Sequence, residues 1–333
     1  MPEFKAVATD NNRFPINVEA EILEEMNVEV VRAVCKNDEE VVEACRDADV
    51  VLNVAAQMQR PVLEKIEKCR VIIRYGVGLD NVDVAAATDC GILIAHVPDF
   101  CWDEVADTAM THILAVTRKI VKTTNDIKAG IWDKNRQKPI HKFKGSRLGL
   151  VSFGNIAREV AKRAKAFGFE VVAYDPYLTD SVFRAHEVAC VDFDELLTTS
   201  DVISAHAPLT PETKGLFGEA QFKKMKKTAY FVNTGRGPVA QNAALYKALK
   251  EGWIAGAGLD VMEVEPAPKD EPLLTLDNVT LTPHFASYTE EAYHELQLKV
   301  GRQAAQVLRG EWPTYFANPE VKEAYLARGF TMK

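Results

Sequence analysis

Three stretches of this sequence end apolar runs in side chains that can hold an anion and move a proton. Phe231-Val232-Asn233-Thr234-Gly235-Arg236-Gly237 closes in an arginine between two glycines. Gly258-Leu259-Asp260-Val261-Met262-Glu263-Val264-Glu265-Pro266 closes in acids, and Leu281-Thr282-Pro283-His284 in a histidine behind a proline. A guanidinium grips a carboxylate through two parallel hydrogen bonds. Histidine exchanges a proton near neutral pH, and a neighbouring carboxylate orients its ring and favours its protonated form. A 2-hydroxy acid needs those three roles when it loses a hydroxyl proton and a hydride: Arg236 for the carboxylate, His284 for the proton, Glu265 to steer the imidazole. Each residue also has a structural alternative. Arg236 could cap strand-end carbonyls, His284 could be a satisfied core histidine and Glu265 a surface acid; their recurrence at successive strand ends points to one site.

The hydride needs an acceptor, and the stretch from Leu148 to Asp175 is built to hold one. Leu148 to Gly154 is an apolar run reaching small residues, as a buried parallel strand does before a tight turn. Asn155 to Phe167 places Ile156, Val160, Ala164 and Phe167 on one helical face. Gly168 stops the helix, and Glu170 to Tyr174 is a second buried strand ending at Asp175. Strand, small-residue turn, helix, strand and acid is the order of a dinucleotide-binding unit. Unpaired amides and the positive dipole end at the helix start attract a pyrophosphate. Asp175 can accept hydrogen bonds from the adenosine ribose, and it would repel a 2′-phosphate, which favours NAD over NADP. The usual G-x-G-x-x-G reads here Ser152-Phe153-Gly154-Asn155-Ile156-Ala157. Gly154, the point of closest approach, is kept; Ser152 stands where the tight turn normally takes glycine. The alternative is an ordinary βαβ unit with an empty crevice.

The elements that must position these residues alternate throughout. Strands are expected at Phe4 to Thr9, Val28 to Val31, Val50 to Val54, Val71 to Arg74 and Ile92 to His96, with short helices between them. The spacing predicts one long helix from Trp102 to about Lys128, then a polar loop or arm from Asp133 to Lys144. Beyond Asp175 further strands end at His206, Val232, Val261 and Leu281, and a last helix, Glu290 to Arg309, leads into a polar tail. Alternation of this kind gives parallel sheets covered on both faces. The fold class is therefore α/β, with two doubly wound parallel-sheet domains. A Rossmann nucleotide-binding domain (99–288) is inserted into a flavodoxin-like substrate-binding domain (1–98 and 289–333), and the crossings near Pro98 and Tyr288 are expected to form a hinge over a cleft. Ligands of such sheets bind outside the carboxyl ends of the strands, where Arg236, Glu265 and His284 fall.

Composition narrows the class. The 333 residues are 47% apolar and 26% charged with net charge −8. That suits a globular pair of domains and disfavours nucleic acid or an anionic membrane as partner. The basic run Lys223, Lys224, Lys226 and Lys227 reads as a solvated helix end. Six scattered cysteines without a C-x-x-C pair suggest reduced thiols, no metal site and a cytoplasmic location. No signal-peptide core or membrane-length apolar run is expected.

The motifs carry a resemblance. RYGVGLDNVD (Arg74 to Asp83), DEVADTAMTHIL (Asp103 to Leu114), AKRAKAFGFEVVAYDPYLTD (Ala161 to Asp180), VNTGRG (Val232 to Gly237), GLDVMEVEP (Gly258 to Pro266) and TPHFASYTEEA (Thr282 to Ala292) resemble the D-isomer-specific 2-hydroxyacid dehydrogenases. This family includes D-3-phosphoglycerate dehydrogenase, and within it the chain looks most like the branch of the C-terminal-binding-protein corepressors. The resemblance implies NAD as cofactor and Arg236, Glu265 and His284 as the catalytic triplet. It implies a cofactor site of Ser152, Phe153, Gly154, Asn155, Ile156, Asp175, His206, Ala207, Pro208, Thr213, Thr234, Gly235 and Asp260, together with Arg236 and His284. It implies that Arg74, Tyr75, Gly76, Val77 and Gly78 meet the substrate carboxylate alongside Arg236 and His284, the loop offering backbone amides. It also implies a homodimer formed through the nucleotide domain, with the Asp133 to Lys144 arm as a contact.

The chain departs from the family pattern at several places. Asn155 replaces a common pyrophosphate-facing arginine, Ala240-Gln241 replace Val-Asp, and Ser287 stands where the corepressors carry tryptophan. Three functions compete: an NAD-dependent dehydrogenase interconverting small 2-keto acids and D-2-hydroxy acids, an NAD(H)-sensing corepressor-like scaffold, and a D-3-phosphoglycerate dehydrogenase. The intact triplet favours an enzyme.

Overall fold

The computed structural model describes residues 2–9 and 15–333, which divide into two compact units, Met1–Cys101 with Thr289–Lys333 and Trp102–Tyr288. In the first unit five parallel strands, β1 (Phe4–Thr9), β2 (Val28–Ala33), β3 (Val50–Asn53), β4 (Val71–Arg74) and β5 (Leu93–Ala95), lie in the order β2-β1-β3-β4-β5. This is the flavodoxin-like doubly wound order. Central β3 and β4 read as unbroken apolar runs because both faces are covered; Val50, Val51, Leu52, Val71, Ile72 and Ile73 are all fully buried. The helix Glu290–Leu308 begins at Thr289, whose side chain accepts the Ala292 amide, with Glu290 and Glu291 in its first turn. It packs on the helix Asn17–Glu24 at Gly301, where an added Cβ would lie 2.8 Å from Ile22 Cδ1.

The residues after the last long helix are ordered where a polar tail is expected. They form a turn at Pro319–Val321 and a helix Lys322–Ala327 whose Tyr325 is buried. Asn318 prolongs the pairing of β5: it accepts the Ile94 amide at 2.8 Å and donates to Ile92 O at 3.0 Å. Arg328 donates to the carbonyls of Glu67, Cys69 and Gly91. The apolar residues here are too sparse for a helical periodicity, so backbone hydrogen bonding decides the outcome.

In the second unit seven parallel strands run β12-β11-β10-β9-β6-β7-β8. They are β6 (Arg147–Val151), β7 (Glu170–Tyr174), β8 (Ala189–Cys190), β9 (Val202–Ala205), β10 (Tyr230–Asn233), β11 (Gly256–Leu259) and β12 (Val279–Leu281). The order reverses between β6 and β9, which is the Rossmann switch point. One face packs on an aromatic cluster in which the Phe217 ring lies 4.7 Å from Phe231 and 5.9 Å from Phe222. On the other face Phe153 stacks on Phe183 at 5.2 Å.

The expected long helix is two: Trp102–Thr117 and Ile120–Lys128. Lys119 between them has φ 54°, and the Thr117 hydroxyl donates back to Ile113 O at 2.5 Å, a bond that bends helices. No proline or glycine marks the break. The basic run is solvated as expected, and the structure adds ion pairs of Lys223 with Glu219, Lys224 with Asp194 and Lys226 with Asp201. No helix among the described residues is long and apolar enough to cross a membrane.

Candidate active site

All three strand-end segments singled out by residue type emerge from the carboxyl edge of the seven-stranded sheet, after β10, β11 and β12. At the end of β10 the buried Asn233 staples the turn that follows. Its amide donates to Arg236 O at 3.0 Å and its oxygen accepts the Gly235 amide at 3.0 Å. Arg236 leaves this turn with Nη1 donating to Gly235 O at 2.9 Å. Gly237 lets the turn press against the next segment, since a Cβ there would fall 1.8 Å from Met262 O.

Beyond β11 the chain folds so that Met262 N–H donates to Glu265 Oε1 at 2.9 Å. The other oxygen, Oε2, lies 2.6 Å from His284 Nδ1. Burial alone would raise the Glu265 carboxyl, but the His284 bond and charge, the Met262 amide and the Arg236 charge outweigh it and hold the carboxyl below its usual range. The pair is therefore an ionised carboxylate against an imidazole. Its side chains keep 35% and 46% exposure, so both can be reached by a small molecule.

His284 has φ 51°, a left-handed conformation that costs a non-glycine residue about 1–2 kcal/mol. Asp260 offsets this. Its carbonyl accepts the His284 amide at 2.7 Å, Oδ1 accepts the Thr282 hydroxyl at 2.6 Å and the Phe285 amide at 3.1 Å, and Oδ2 accepts the Ala286 amide at 3.1 Å. Asp260, expected in the cofactor site, is the brace of the histidine turn.

At the switch point Gly154 ends the loop after β6 and caps the helix Asn155–Ala166 without offering a side chain to its first amides. A Cβ built on Gly154 meets nothing within 4 Å, so the glycine leaves open space in front of those amides. That is the opening a pyrophosphate requires. Ser152 takes the left-handed turn that glycine normally makes, with φ 70°, and its hydroxyl lies 3.3 Å from Asp175 Oδ2. Asp175 also accepts the Phe153 amide at 2.9 Å and the Tyr177 amide at 3.0 Å, which aims the carboxylate before any ribose arrives. Phe153 contributes only backbone here, its ring being core. Asn155 is exposed and Ile156 half-buried at the helix start.

His206, after β9, bonds through Nε2 to Ser204 Oγ at 2.9 Å and through Nδ1 to Thr234 Oγ1 at 3.4 Å. Burial pushes its pKa down to about 4, so it is a neutral ring at physiological pH and a wall rather than a proton donor. Ala207 is buried and Pro208 exposed, and Thr213 donates to Pro208 O at 2.6 Å, closing that loop. Gly235 lies against this wall, an added Cβ falling 3.0 Å from Ala207 O.

The substrate-loop candidates belong to the first unit. Tyr75 is buried and donates to Glu19 at 2.7 Å, while Arg74 folds its guanidinium onto Tyr75 O. Gly76, at φ 126°, leaves room for it, since a Cβ would lie 2.0 Å from Arg74 Nη1. Val77 is exposed and Gly78 half-buried.

The chain has relatives among known proteins. Residues 110–286 match the family described as D-isomer specific 2-hydroxyacid dehydrogenase, NAD binding domain. The chain belongs to that family. It is 44% identical to a D-3-phosphoglycerate dehydrogenase of Methanocaldococcus jannaschii, over 97% of this chain and 61% of the relative's length. It is 42% identical to a glyoxylate reductase of Thermofilum pendens, over 85% of each chain. A crystal structure of a glyoxylate reductase from Paecilomyes thermophila superposes with a TM-score of 0.84 at 28% identity, covering 96% of this chain and 99% of that one. The family's domain binds NAD, and the glycine opening, the free helix amides and the aimed Asp175 fit that cofactor. His112, Thr282 and the Met262 amide complete the site's hydrogen bonding without having been picked out by residue type. His112 and Thr282 lie inside the motifs DEVADTAMTHIL and TPHFASYTEEA, but nothing in their spacing tells that they meet.

Proposed function

We propose that this chain is an NAD-dependent oxidoreductase that interconverts small 2-keto acids and D-2-hydroxy acids. The observation that carries the reading is the 2.6 Å pairing of His284 Nδ1 with the ionised Glu265, beside Arg236, at the carboxyl edge of a nucleotide-binding sheet. The pair directs Nε2 of the imidazole outward as the atom that exchanges a proton. In reduction His284 donates that proton to the carbonyl oxygen while Glu265 holds the ring through Nδ1. In oxidation the neutral ring accepts the hydroxyl proton. Arg236 holds the substrate carboxylate. In the other unit the Tyr75 amide is spent on Asn53 O at 2.9 Å, which leaves the amides of Gly76, Val77 and Gly78 as the candidates for an anion there. NAD, held by Ser152 to Ile156, Asp175, His206 to Pro208, Thr213, Thr234, Gly235 and Asp260, supplies the hydride acceptor or donor. General acid–base transfer of this kind contributes about 10²–10⁴-fold. On this reading the unit Trp102–Tyr288 binds the cofactor and carries the catalytic triplet, and the other unit is the substrate-binding domain.

The test is a screen of glyoxylate, hydroxypyruvate, pyruvate and bulkier keto acids with NADH, followed by chiral analysis of the product. D-products from at least one acid support the proposal, and no turnover across the panel contradicts it. The 44% identity to a D-3-phosphoglycerate dehydrogenase favours a second reading in which the substrate is 3-phosphoglycerate; oxidation of that acid with NAD tests it. We also propose a homodimer. The helix Ile120–Lys128 buries none of its residues, Ile120, Val121 and Ile127 are exposed, and Trp132 is 88% exposed. A second copy is the occupant we assign to this apolar face, and light scattering of a Trp132→Asp variant checks it. The cysteine spacing leaves a cytoplasmic location as part of the same proposal.

A further inference from the structure

His112 sits in the helix Trp102–Thr117 with 3% exposure, among alanine and branched aliphatic residues that give no reason for a polar ring. It backs onto β11 so closely that a Cβ on Gly258 would lie 2.7 Å from His112 Cβ. Both ring nitrogens are engaged. Nδ1 lies 2.8 Å from Thr280 Oγ1 and Nε2 2.9 Å from Thr282 Oγ1. The chemistry of the partners assigns the protons. The Thr282 hydroxyl has one proton and gives it to Asp260 Oδ1 at 2.6 Å, because a carboxylate only accepts. Its oxygen must then accept the Nε2–H of His112. Burial lowers the pKa of this ring and keeps it neutral, so Nδ1 carries a lone pair and takes the Thr280 proton.

The line continues beyond Asp260. That carboxylate receives the Phe285 and Ala286 amides, both at 3.1 Å, and the same residue's carbonyl receives the His284 amide at 2.7 Å. A core histidine of one helix is therefore joined, through one hydroxyl and one carboxylate, to the left-handed turn that presents His284. An apolar residue at 112 would fill the same space. It would leave the Thr282 oxygen without its donor and the hydroxyl free to rotate away from Asp260.

We propose that His112 is a positioning residue: through Thr282 and Asp260 it holds the turn that aims the His284 imidazole. The inference rests on the reading of His284 as the proton-transfer group. A double-mutant cycle of His112→Phe and Thr282→Val, with His112→Gln as the conservative variant, tests it through two readouts. The first is amide hydrogen exchange of the peptide carrying Phe285 and Ala286, which is independent of activity. The second is the split between kcat and KM for keto-acid reduction.

The expected result is faster exchange in both single variants and a kcat lowered about tenfold, with the keto-acid KM within about twofold and the double variant no worse than either single. His112→Gln can still donate to Thr282 and recovers most of both. If His112→Phe does not fold, Thr282→Val breaks the same line at a half-buried position. Unchanged exchange and unchanged kcat in Thr282→Val, or strictly additive effects in the cycle, would overturn the proposal. Faster exchange in the variants, with a wild type that reduces no keto acid, would uphold the brace while overturning the enzymatic reading.

Discussion

Replacing Glu265 by glutamine removes one charge and one acceptor from a carboxylate that uses both oxygens. Oε1 accepts the Met262 amide at 2.9 Å and Oε2 faces His284 Nδ1 at 2.6 Å. Glutamine has only one oxygen for the two donors. If that oxygen stays with Met262, the amide NH2 faces Nδ1, which must then carry a lone pair; the imidazolium has no place there and the proton donor of the reductive direction is lost. If the oxygen turns to His284, the NH2 meets the Met262 N–H, donor against donor, and a partly buried amide goes unpaired. Either arrangement forfeits a hydrogen bond to a charged group, worth about 1.5–3 kcal/mol. At 1.4 kcal/mol per factor of ten, reduction should slow about 10- to 100-fold. NADH affinity should stay within about threefold, because no cofactor-binding role is assigned to this carboxylate. Steady-state reduction with NADH, paired with a fluorescence titration of NADH binding, reads both quantities. A Glu265→Gln protein that keeps half of the wild-type kcat would refute the assigned role of the carboxylate.

Three further outcomes follow from particular contacts. Gly154→Ala adds a Cβ where no protein atom lies within 4 Å, so the unliganded melting temperature should hold while NADH affinity falls about tenfold; a lost fold with intact affinity would contradict the opening in front of the helix amides. Ser152→Gly releases a side chain held at φ 70° and should raise stability by about 1 kcal/mol in denaturant titration, whereas destabilisation would mean that the hydroxyl contact with Asp175 outweighs the strain. The native Glu265 carboxyl is depressed, so its stabilising contribution is full above about pH 5 and fades as pH falls through the native value. The denaturant midpoints of wild type and Glu265→Gln should therefore differ at about pH 6 and converge as pH falls through the depressed native value; a difference that grows on acidification has the wrong sign.

The alternation of strands and helices was readable because β3, β4, β6, β9 and β10 are buried on both faces over most of their length and carry apolar runs, with polar residues mainly at their ends. Short elements without such a constraint escaped, among them the helix Asp180–Ala185 and the two-residue β8. The break at Lys119 was equally hidden, since a lysine there gives no sign of a left-handed turn. The C-terminal helix was hidden because Asn318 and Arg328 bind it through backbone groups rather than a periodic apolar face. At the site, residue chemistry at strand ends singled out His284, Glu265 and Arg236, and the first two meet in a 2.6 Å bond. The supporting contacts were not readable. His112 reaches Thr280 and Thr282 across a gap in sequence that only the fold closes, and the Glu265 to Met262 bond depends on a loop with no regular period.

The most direct measurement is single-turnover reduction of the best keto acid by His284→Ala preloaded with NADH. Because His284 also belongs to the cofactor site, the variant is saturated with NADH at a concentration set from its own Kd, so that the rate reports the transfer step alone. Hydride transfer then slows about 10²–10⁴-fold. A transfer rate within about threefold of wild type in that variant would contradict the account, because the proton would then come from another group.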